Sequence, residues 1–217
     1  MAYSVGVGLT NECDLRCPHC YRPDAIINRL TVREIQRVCE TIPVKSMNLG
    51  VGENGLHPDY HAILDYLSSR GIVTSITSNG LSTEVLTDTE LIRFRSVEFS
   101  LDFPTEQEHD AFRGRGNWQT VIRALERCAK AGVPVTVTSV MMRLNYDKLP
   151  ALARVAAAFG ANLRVNVYQP SKTNTFSVSY EQFWQGFTQL LESTRLVATT
   201  EPVLAAVLGL EDFAGPG

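Results

Sequence analysis

The sequence alternates between short apolar, often β-branched stretches and amphipathic segments typical of helices, and this alternation constrains the fold most strongly. Strands that are joined through helices pair in parallel, with right-handed crossovers. Six alternations are too few to close an eight-stranded barrel. The predicted fold is therefore α/β, an open partial (β/α)6 barrel. The predicted strands are residues 3–10, 45–50, 72–77, 96–101, 133–141 and 163–168.

The character of the chain changes after about residue 170. Residues 169–179 are rich in Ser, Thr and Asn and predict a loop, and helices are predicted over 180–194 and 203–210. We therefore divide the chain into a core of residues 1–170 and a C-terminal helical extension of residues 171–217. The Ala-Gly-Pro-Gly end is consistent with an extension that is the start of a segment missing here.

Composition excludes several classes of protein. A net charge of −3 gives no electrostatic case for nucleic acid or an anionic membrane as partner. No apolar run approaches the length that a membrane-spanning helix needs. Five cysteines, an odd number and mostly close together, argue against a secreted disulfide framework. These features predict a soluble, cytoplasmic protein without nucleic-acid or membrane partners.

Three of the five cysteines, Cys13, Cys17 and Cys20, fall within eight positions in the pattern Cys-x3-Cys-x2-Cys. Structural zinc usually has four ligands, often as two separated pairs, whereas this loop offers three. A triplet suits an iron–sulfur cluster that leaves one iron open, although zinc or an idle loop remains an alternative. Cys39 and Cys128 lie on the apolar faces of predicted helices and are interpreted as core residues.

Polar and glycine-rich segments follow each predicted strand. In a β/α barrel the loops that leave the carboxyl ends of the strands carry function. The cysteine loop follows the first strand, and Gly50–Gly55 follows the second. Ser78-Asn79 follows the third strand, and Asp102 with Arg113 follows the fourth. We therefore expect these segments to meet at one edge of the sheet.

The cysteine triplet, followed by Tyr21, resembles the signature of the radical S-adenosylmethionine (radical SAM) superfamily, in which it carries a [4Fe–4S] cluster. Gly50-Val51-Gly52-Glu53 resembles that family's Gly-Gly-Glu loop, with Val51 in place of the first glycine. The resemblance implies that Gly52 and Glu53 bind the methionyl amino group of SAM. A carboxylate facing an ammonium forms a charge-assisted hydrogen bond.

Further positions extend the resemblance over residues 4–170. Ser78-Asn79-Gly80 is similar to the family's Thr-Asn-Gly, near the ribose and methionyl parts of SAM. Ser100-Leu-Asp102 is similar to its Ser-Leu-Asp, which implies Ser100 toward SAM and Asp102 toward ribose or substrate. Arg113 is similar to an arginine that reaches the SAM carboxylate, a group that its fork of donors matches. All four histidines, His19, His57, His61 and His109, are interpreted as solvated or helix-capping.

The resemblance implies a radical SAM enzyme that reductively cleaves SAM to a 5′-deoxyadenosyl radical, which abstracts hydrogen from a substrate. The motifs are most similar to the branch of molybdenum-cofactor, PQQ and peptide-maturation enzymes, and peptide modification is the leading expectation. Small-molecule cofactor or antibiotic biosynthesis is the alternative within enzymes. A non-catalytic metal-binding scaffold is the alternative outside them. The family also implies a flavodoxin- or ferredoxin-type electron donor.

Overall fold

The computed structural model describes residues 2–22, 26–194 and 197–198. Seven strands form one sheet in the order β1 to β7, and every neighbouring pair is parallel. The predicted parallel sheet is confirmed, with one added strand, β7, of two residues. The strands are β1 Tyr3–Val7, β2 Val44–Leu49, β3 Val73–Ser78, β4 Phe94–Ser100, β5 Val135–Met141, β6 Asn162–Val167 and β7 Val197–Ala198.

Helices connect successive strands, as the alternation in the sequence predicts. Single turns of 3-10 helix lie at Asn54–Leu56 and Tyr146–Lys148. The helices are α1 Val32–Thr41, α2 Tyr60–Ser69, α3 Leu81–Glu84, α4 Asp88–Leu91, α5 Glu106–Arg113, α6 Asn117–Ala131, α7 Leu149–Ala158 and α8 Tyr180–Ser193. The helix predicted over 203–210 lies outside the described residues.

The two faces of the sheet differ in chemistry, because successive side chains of a strand point to opposite faces. Apolar residues such as Leu49, Ile76 and Val97 are buried in one core with the apolar faces of the helices. Cys128 is fully buried in this core and Cys39 packs against it, as expected. The polar residues form a row of hydroxyl, amide and charged groups across the strands.

Contacts between neighbouring strands hold this polar row together. Ser46 Oγ donates to Ser4 Oγ at 2.8 Å. Thr138 Oγ1 donates to Glu98 Oε2 at 3.1 Å. Arg164 Nη1 lies 2.8 Å from Glu98 Oε1. Packing is therefore confined mainly to one face of the sheet, and the other face is left polar below the ends of the strands.

The stretch 105–116 is more ordered than its polar composition indicates. Thr105 caps α5 by accepting a hydrogen bond from the backbone of Glu108, and Gly114 ends the helix with a φ of 144°. The helix places Arg113 in its last turn, toward the carboxyl ends of the strands. This polar, charged stretch therefore forms a helix, and the helix positions the Arg113 guanidinium at the carboxyl ends of the strands.

The C-terminal extension packs on the core through α8. Phe187 and Leu190 of this helix are fully buried in the same apolar cluster as the sheet. Ser179 caps α8 in a capping box with Gln182. The division at residue 170 stays a prediction. Within the described residues, no helix combines the length and the hydrophobicity that spanning a membrane would require.

Candidate functional site

The carboxyl ends of the strands surround one cavity of about 450 Å³, a volume in the range of small-molecule sites. All predicted site residues except Asp102 line it: Cys13, Cys17, Cys20, Gly52, Glu53, Ser78, Asn79, Ser100 and Arg113. They come from the ends of four different strands or from the segments that follow them, and the sheet brings them together. The expected meeting of these segments at one edge is therefore observed.

The cysteine loop is held in shape by Arg22, which sequence reasoning did not single out. Its guanidinium donates to the backbone oxygen of Asn11 at 2.7 Å and to that of Leu15 at 3.1 Å. The Arg22 residue is only 9% exposed. The cation thus clamps the loop from within, by binding backbone oxygens on both sides of Cys13.

The glycine-rich loop after β2 packs closely against the cysteine loop. The Glu53 backbone N–H donates to Glu12 O at 2.7 Å. A Cβ on Gly52 would lie 2.5 Å from Glu12 O and 2.6 Å from Thr10 O, and the φ of Gly52 is 63°. Both the close approach and the left-handed backbone require glycine at this position.

The three thiols of the triplet are free and partly buried around the cavity. Burial raises the pKa of Cys13 to about 12 and also raises the pKa of Cys17 above its ordinary value. Such thiols stay protonated in the apo protein, and a bound metal cation is what would deprotonate them. Their donor chemistry therefore fits a metal group better than it fits a free nucleophile.

No three His, Cys, Asp or Glu side chains in the described part of the chain converge on a point that one metal ion could occupy. An iron–sulfur cluster does not require its ligands to converge on one point, because each thiolate binds its own iron. Three thiols spread around the edge of a cavity suit this arrangement. Cys13, Cys17 and Cys20 would supply the ligands of such a cluster.

Glu53 is buried at the inner end of the glycine-rich loop and accepts three hydrogen bonds. The Ser78 hydroxyl donates to its carboxylate at 2.5 Å, and the backbone N–H groups of Asn79 and Ser82 donate at 2.9 and 2.7 Å. Burial nevertheless raises the pKa of Glu53 above its ordinary value. No cationic side chain of the described residues pairs with this carboxylate, so its charge is stabilised by neutral donors alone.

Asn79 connects the glycine-rich and cysteine loops. Its side-chain amide donates to Asp14 Oδ1 at 2.7 Å and contacts Cys13 Sγ at 3.8 Å. Its backbone oxygen accepts a hydrogen bond from Asn117 Nδ2 at 2.8 Å. Asn79 therefore positions the first cysteine of the triplet, whereas the resemblance placed this residue beside SAM. Both roles are open to a side chain that lines the cavity.

Asp102 lies behind the cavity and contacts Arg113 rather than the open space. Arg113 Nε donates to Asp102 Oδ2 at 2.7 Å, and the Val140 backbone N–H donates to Asp102 Oδ1 at 2.8 Å. The Asp102 side chain is fully buried and that of Arg113 is 9% exposed. Burial acts to raise the pKa of Asp102, but the charges of Arg113 and His19, together with the hydrogen bonds from Arg113 and Val140, lower it. The geometry places Asp102 as a partner of Arg113.

Two histidines differ from the interpretation as solvated or capping residues, which is wrong for His19 and His109. The His19 side chain is 9% exposed, stacks on Phe112 and lies 3.7 Å from Asp102 Oδ2. Its Nδ1 is buried without a hydrogen-bond partner in the described residues. His61 is half-exposed and pairs with Glu90, whereas His57 is buried against Leu30 O.

His109 is fully buried and links the two sides of the site. Its Nδ1 accepts from the Asp102 backbone N–H at 3.3 Å, and its Nε2 lies 2.9 Å from Asn117 Oδ1. Burial lowers the pKa of His109 to about 4, so the ring is neutral at physiological pH. Its spacing to Asp102 and Asn117 carries no recognised motif, which is why the sequence did not reveal it.

Comparisons with known proteins relate the sequence of this chain to one family. Residues 7–156 match the model of the radical SAM superfamily. Over 175 residues the chain is 31% identical to the mycofactocin maturase MftC of Mycobacterium tuberculosis (strain CDC 1551), covering 77% of this chain and 45% of MftC. It is 25% identical over 202 residues to a probable GTP 3′,8-cyclase of Pyrococcus abyssi, covering 88% of this chain and 65% of the cyclase.

The fold also matches solved structures. Streptococcus suis SuiB bound to S-adenosylmethionine superposes with a TM-score of 0.75 at 15% identity, over 99% of this chain and 54% of SuiB. This likeness confirms the open partial barrel. The chain spans about half the length of MftC and of SuiB.

The family match covers more than half of the chain and includes the cysteine triplet, the glycine-rich loop and Arg113. The thiols around the cavity fit the cluster of this family by the chemistry of their donors. The chain therefore belongs to the radical SAM superfamily, whose cofactors are a [4Fe–4S] cluster and S-adenosylmethionine.

Proposed function

We propose that this chain is the SAM-cleaving core of a radical SAM enzyme that modifies a peptide. The observation that carries the proposal is the arrangement around one cavity of three cysteines, a guanidinium and a carboxylate that has no cationic partner among the described residues. The cofactors supply one-electron reductive cleavage of SAM and abstraction of hydrogen from the substrate. The protein binds, orients and shields them.

Each side of the cavity has a distinct task in this proposal. Cys13, Cys17 and Cys20 would supply the thiolate ligands of the cluster. Glu53 accepts a hydrogen bond from the ammonium of SAM, since its carboxylate lacks a cationic partner among the described residues. Arg113 donates to the carboxylate of SAM with the nitrogen atoms that Asp102 does not use.

Smaller polar groups complete the cofactor site. Ser78 and Ser100 line the cavity at the ends of β3 and β4, and Asn79 follows directly after β3. Ser78 donates its hydroxyl to Glu53, so its action on SAM is to orient that carboxylate. Ser100 offers a hydroxyl to the cavity itself. We assign Ser100 to hydrogen bonding with SAM and Ser78 to positioning.

The wall built by β6 and the loop that follows it favours a peptide as substrate. Asn166, Gln169 and Ser171 line it with neutral amide and hydroxyl groups that match the donors and acceptors of a peptide backbone. Of the two arginines that line the cavity, Arg22 is engaged with loop carbonyls, and Arg113 is engaged with Asp102 and, in this proposal, with the carboxylate of SAM. A nucleoside triphosphate would demand cations that the described lining does not offer.

The names of the relatives also support a peptide as the substrate. One is named a maturase, and SuiB has been crystallised bound to the precursor peptide SuiA. The relationship to a GTP 3′,8-cyclase keeps a nucleotide, and with it small-molecule cofactor biosynthesis, as the second candidate. An electron donor of flavodoxin or ferredoxin type and a cytoplasmic location accompany either activity, because the cluster must be reduced and protected from oxygen.

The first experiment tests the chemistry. After anaerobic reconstitution with iron and sulfide, we expect an axial electron paramagnetic resonance signal that changes when SAM is added. We also expect 5′-deoxyadenosine to form under dithionite. Cys17→Ala abolishes both results, while Cys128→Ala, at a buried core position, retains them. Deoxyadenosine formation by Cys17→Ala at the wild-type rate, or a cluster signal that ignores SAM, contradicts the proposal.

The second experiment tests the substrate. Short peptides encoded next to the gene are synthesised with deuterium at their Cα and side-chain positions. We expect a peptide to raise the yield of 5′-deoxyadenosine and to transfer deuterium into it, and GTP at the same concentration to do neither. Stimulation by GTP with no response to any peptide would shift the assignment to the second candidate.

A further inference from the structure

Val51, in the loop after β2, has a backbone conformation that its residue type disfavours. Its φ is 63°, and it is the one non-glycine residue with a positive φ in the described parts of the chain. A β-branched side chain in the left-handed region is a genuine outlier, because its Cβ crowds the backbone. Strain of this kind persists where the surroundings enforce it and often marks a functional position.

Gly8, at the end of β1, provides the space that Val51 needs. A Cβ added to Gly8 would lie 2.8 Å from Val51 Cβ and 3.0 Å from Gly50 O. The φ of Gly8 lies outside the left-handed region, so its own backbone does not require glycine. Two positions, one directly after β1 and one in the loop after β2, are therefore adapted to hold one valine side chain in place.

The side chain that is held in this way borders the cavity. Val51 is 42% exposed and lines the cavity together with Cys13 and Glu53. Its isopropyl group is an apolar side chain in the lining of a cavity that also contains a proposed cluster ligand and the carboxylate that we assign to the ammonium of SAM. The part of SAM that lies beside its ammonium is an aliphatic chain, and this chain matches an apolar neighbour.

We propose that Val51 is a binding residue for the methionyl chain of SAM, kept in a strained backbone so that its side chain forms an apolar wall of the cavity. The inference rests on the proposed SAM site. A glycine at this position would relax the backbone and remove the wall. Affinity for SAM and stability of the empty protein therefore change in opposite directions when Val51 is replaced.

The experiment compares Val51→Gly, Val51→Thr and the wild type. We expect Val51→Gly to raise the Tm of the cluster-free protein by about 2–6 °C, because relief of strain exceeds the added flexibility of glycine. We expect it to weaken the Kd for SAM, measured by anaerobic calorimetry on the cluster-loaded protein, by about 5-fold or more. Val51→Thr keeps the branched shape and is expected to stay within about 3-fold of the wild-type Kd.

A second pair of variants tests the space at Gly8. Gly8→Ala is expected to lower the Tm of the cluster-free protein, and to lower it less when Val51→Gly is also present, because one of the two close contacts is then gone. This coupling does not depend on the cofactors.

The outcomes separate the inference from the proposed function. An unchanged Kd for SAM in Val51→Gly overturns the binding role, whatever the Tm. An unchanged or lower Tm of cluster-free Val51→Gly overturns the claim that Val51 is held in a strained backbone. If the reconstituted wild type does not bind SAM at all, the proposed function fails, and the inference fails with it. This result is seen in the wild type alone, so it is distinct from a failure of the inference, which is seen only when Val51→Gly is compared with a wild type that binds SAM.

Discussion

Two buried carboxylates, one after β2 and one after β4, are stabilised in opposite ways. Glu53 is surrounded by neutral donors, and burial raises its pKa. Asp102 is equally buried but lies 2.7 Å from Arg113 Nε, and its pKa is lowered. Burial penalises both charges, and only Asp102 has a cation within the described residues that compensates for it.

This difference separates binding from positioning. A buried carboxylate without a cationic partner is poised to pair with a cation that arrives from outside, such as the ammonium of SAM. A carboxylate that already has its cation gains little from a ligand and instead fixes the orientation of that cation. The resemblance in sequence assigned both residues to ligand contact, whereas the structure favours contact for Glu53 and support of Arg113 for Asp102.

The largest predicted effect concerns Asp102. Asp102→Asn leaves the Arg113 guanidinium buried without a counter-charge, and we expect a loss of about 3–5 kcal/mol in the free energy of unfolding. The matched control is Asp88→Asn, which breaks an ion pair between Arg127 and an aspartate that is 80% exposed. Its expected loss is less than about 1 kcal/mol. Urea unfolding of the cluster-free proteins measures both losses. Equal losses would show that the buried Asp102–Arg113 pair stabilises the protein no more than an exposed ion pair does.

The next effect concerns the backbone that carries Glu53. Gly52→Ala places a Cβ 2.5 Å from Glu12 O, in a left-handed backbone. We expect a loss of about 2–4 kcal/mol in stability and displacement of the Glu53 carboxylate from its donors. Gly50→Ala, two residues earlier, is the control, because a Cβ there meets nothing within 4 Å. A stable Gly52→Ala protein with unchanged SAM affinity would show that the loop does not need this close approach.

Glu53→Gln tests whether the Glu53 carboxylate, which is surrounded by neutral donors, binds the ammonium of SAM. The substitution keeps the size of the side chain but removes the charge that an ammonium would contact, and we expect SAM to bind about 10- to 100-fold more weakly. Glu12→Gln is the control in the neighbouring loop, where the carboxylate pairs with Arg29 and not with the cavity. Calorimetry on reconstituted protein measures both variants. Equal affinities for Glu53→Gln and the wild type would break the assignment of Glu53 to the ammonium.

Much of the fold follows from local patterns. The strand segments, the capping of α1 by Thr31 with Glu34 three residues on, and the apolar helix positions of Cys39 and Cys128 can each be recognised from residues that are close in sequence. The clustering of the cysteines with Glu53 and Arg113 follows from one rule, that the carboxyl ends of parallel strands share an edge. Strand β7 was missed because two residues are too few to show a period.

The contacts within the site depend on pairs that no pattern marks. Asp102 and Arg113 are 11 positions apart, one just after a strand and the other in the last turn of a helix. Arg22 is one of 20 basic residues, and only the path of the cysteine loop buries it. The sequence shows which residue types are present, whereas the choice between ligand and support depends on three-dimensional neighbours.

The smallest predicted effect is a pair of opposite pH dependences. The folded pKa of Glu53 is raised above 4.5, so the folded protein binds the proton more tightly than the unfolded chain, and this residue makes stability fall as pH rises above 4.5. The folded pKa of Asp102 is lowered below 3.8, so its contribution is present above 3.8 and is lost as pH falls below that value.

Single variants isolate the two contributions in the cluster-free protein. Each unit of pKa shift corresponds to about 1.4 kcal/mol, or about 3–5 °C in Tm for a chain of this size. We expect the Tm of Glu53→Gln, relative to wild type, to increase as pH is raised from 4.5 to 8. The Tm of Asp102→Asn, again relative to wild type, should increase as pH is lowered from 5 to 3. Parallel profiles for both variants would mean that the two carboxylates share one electrostatic environment, and the separation of binding from positioning would then have no physical basis.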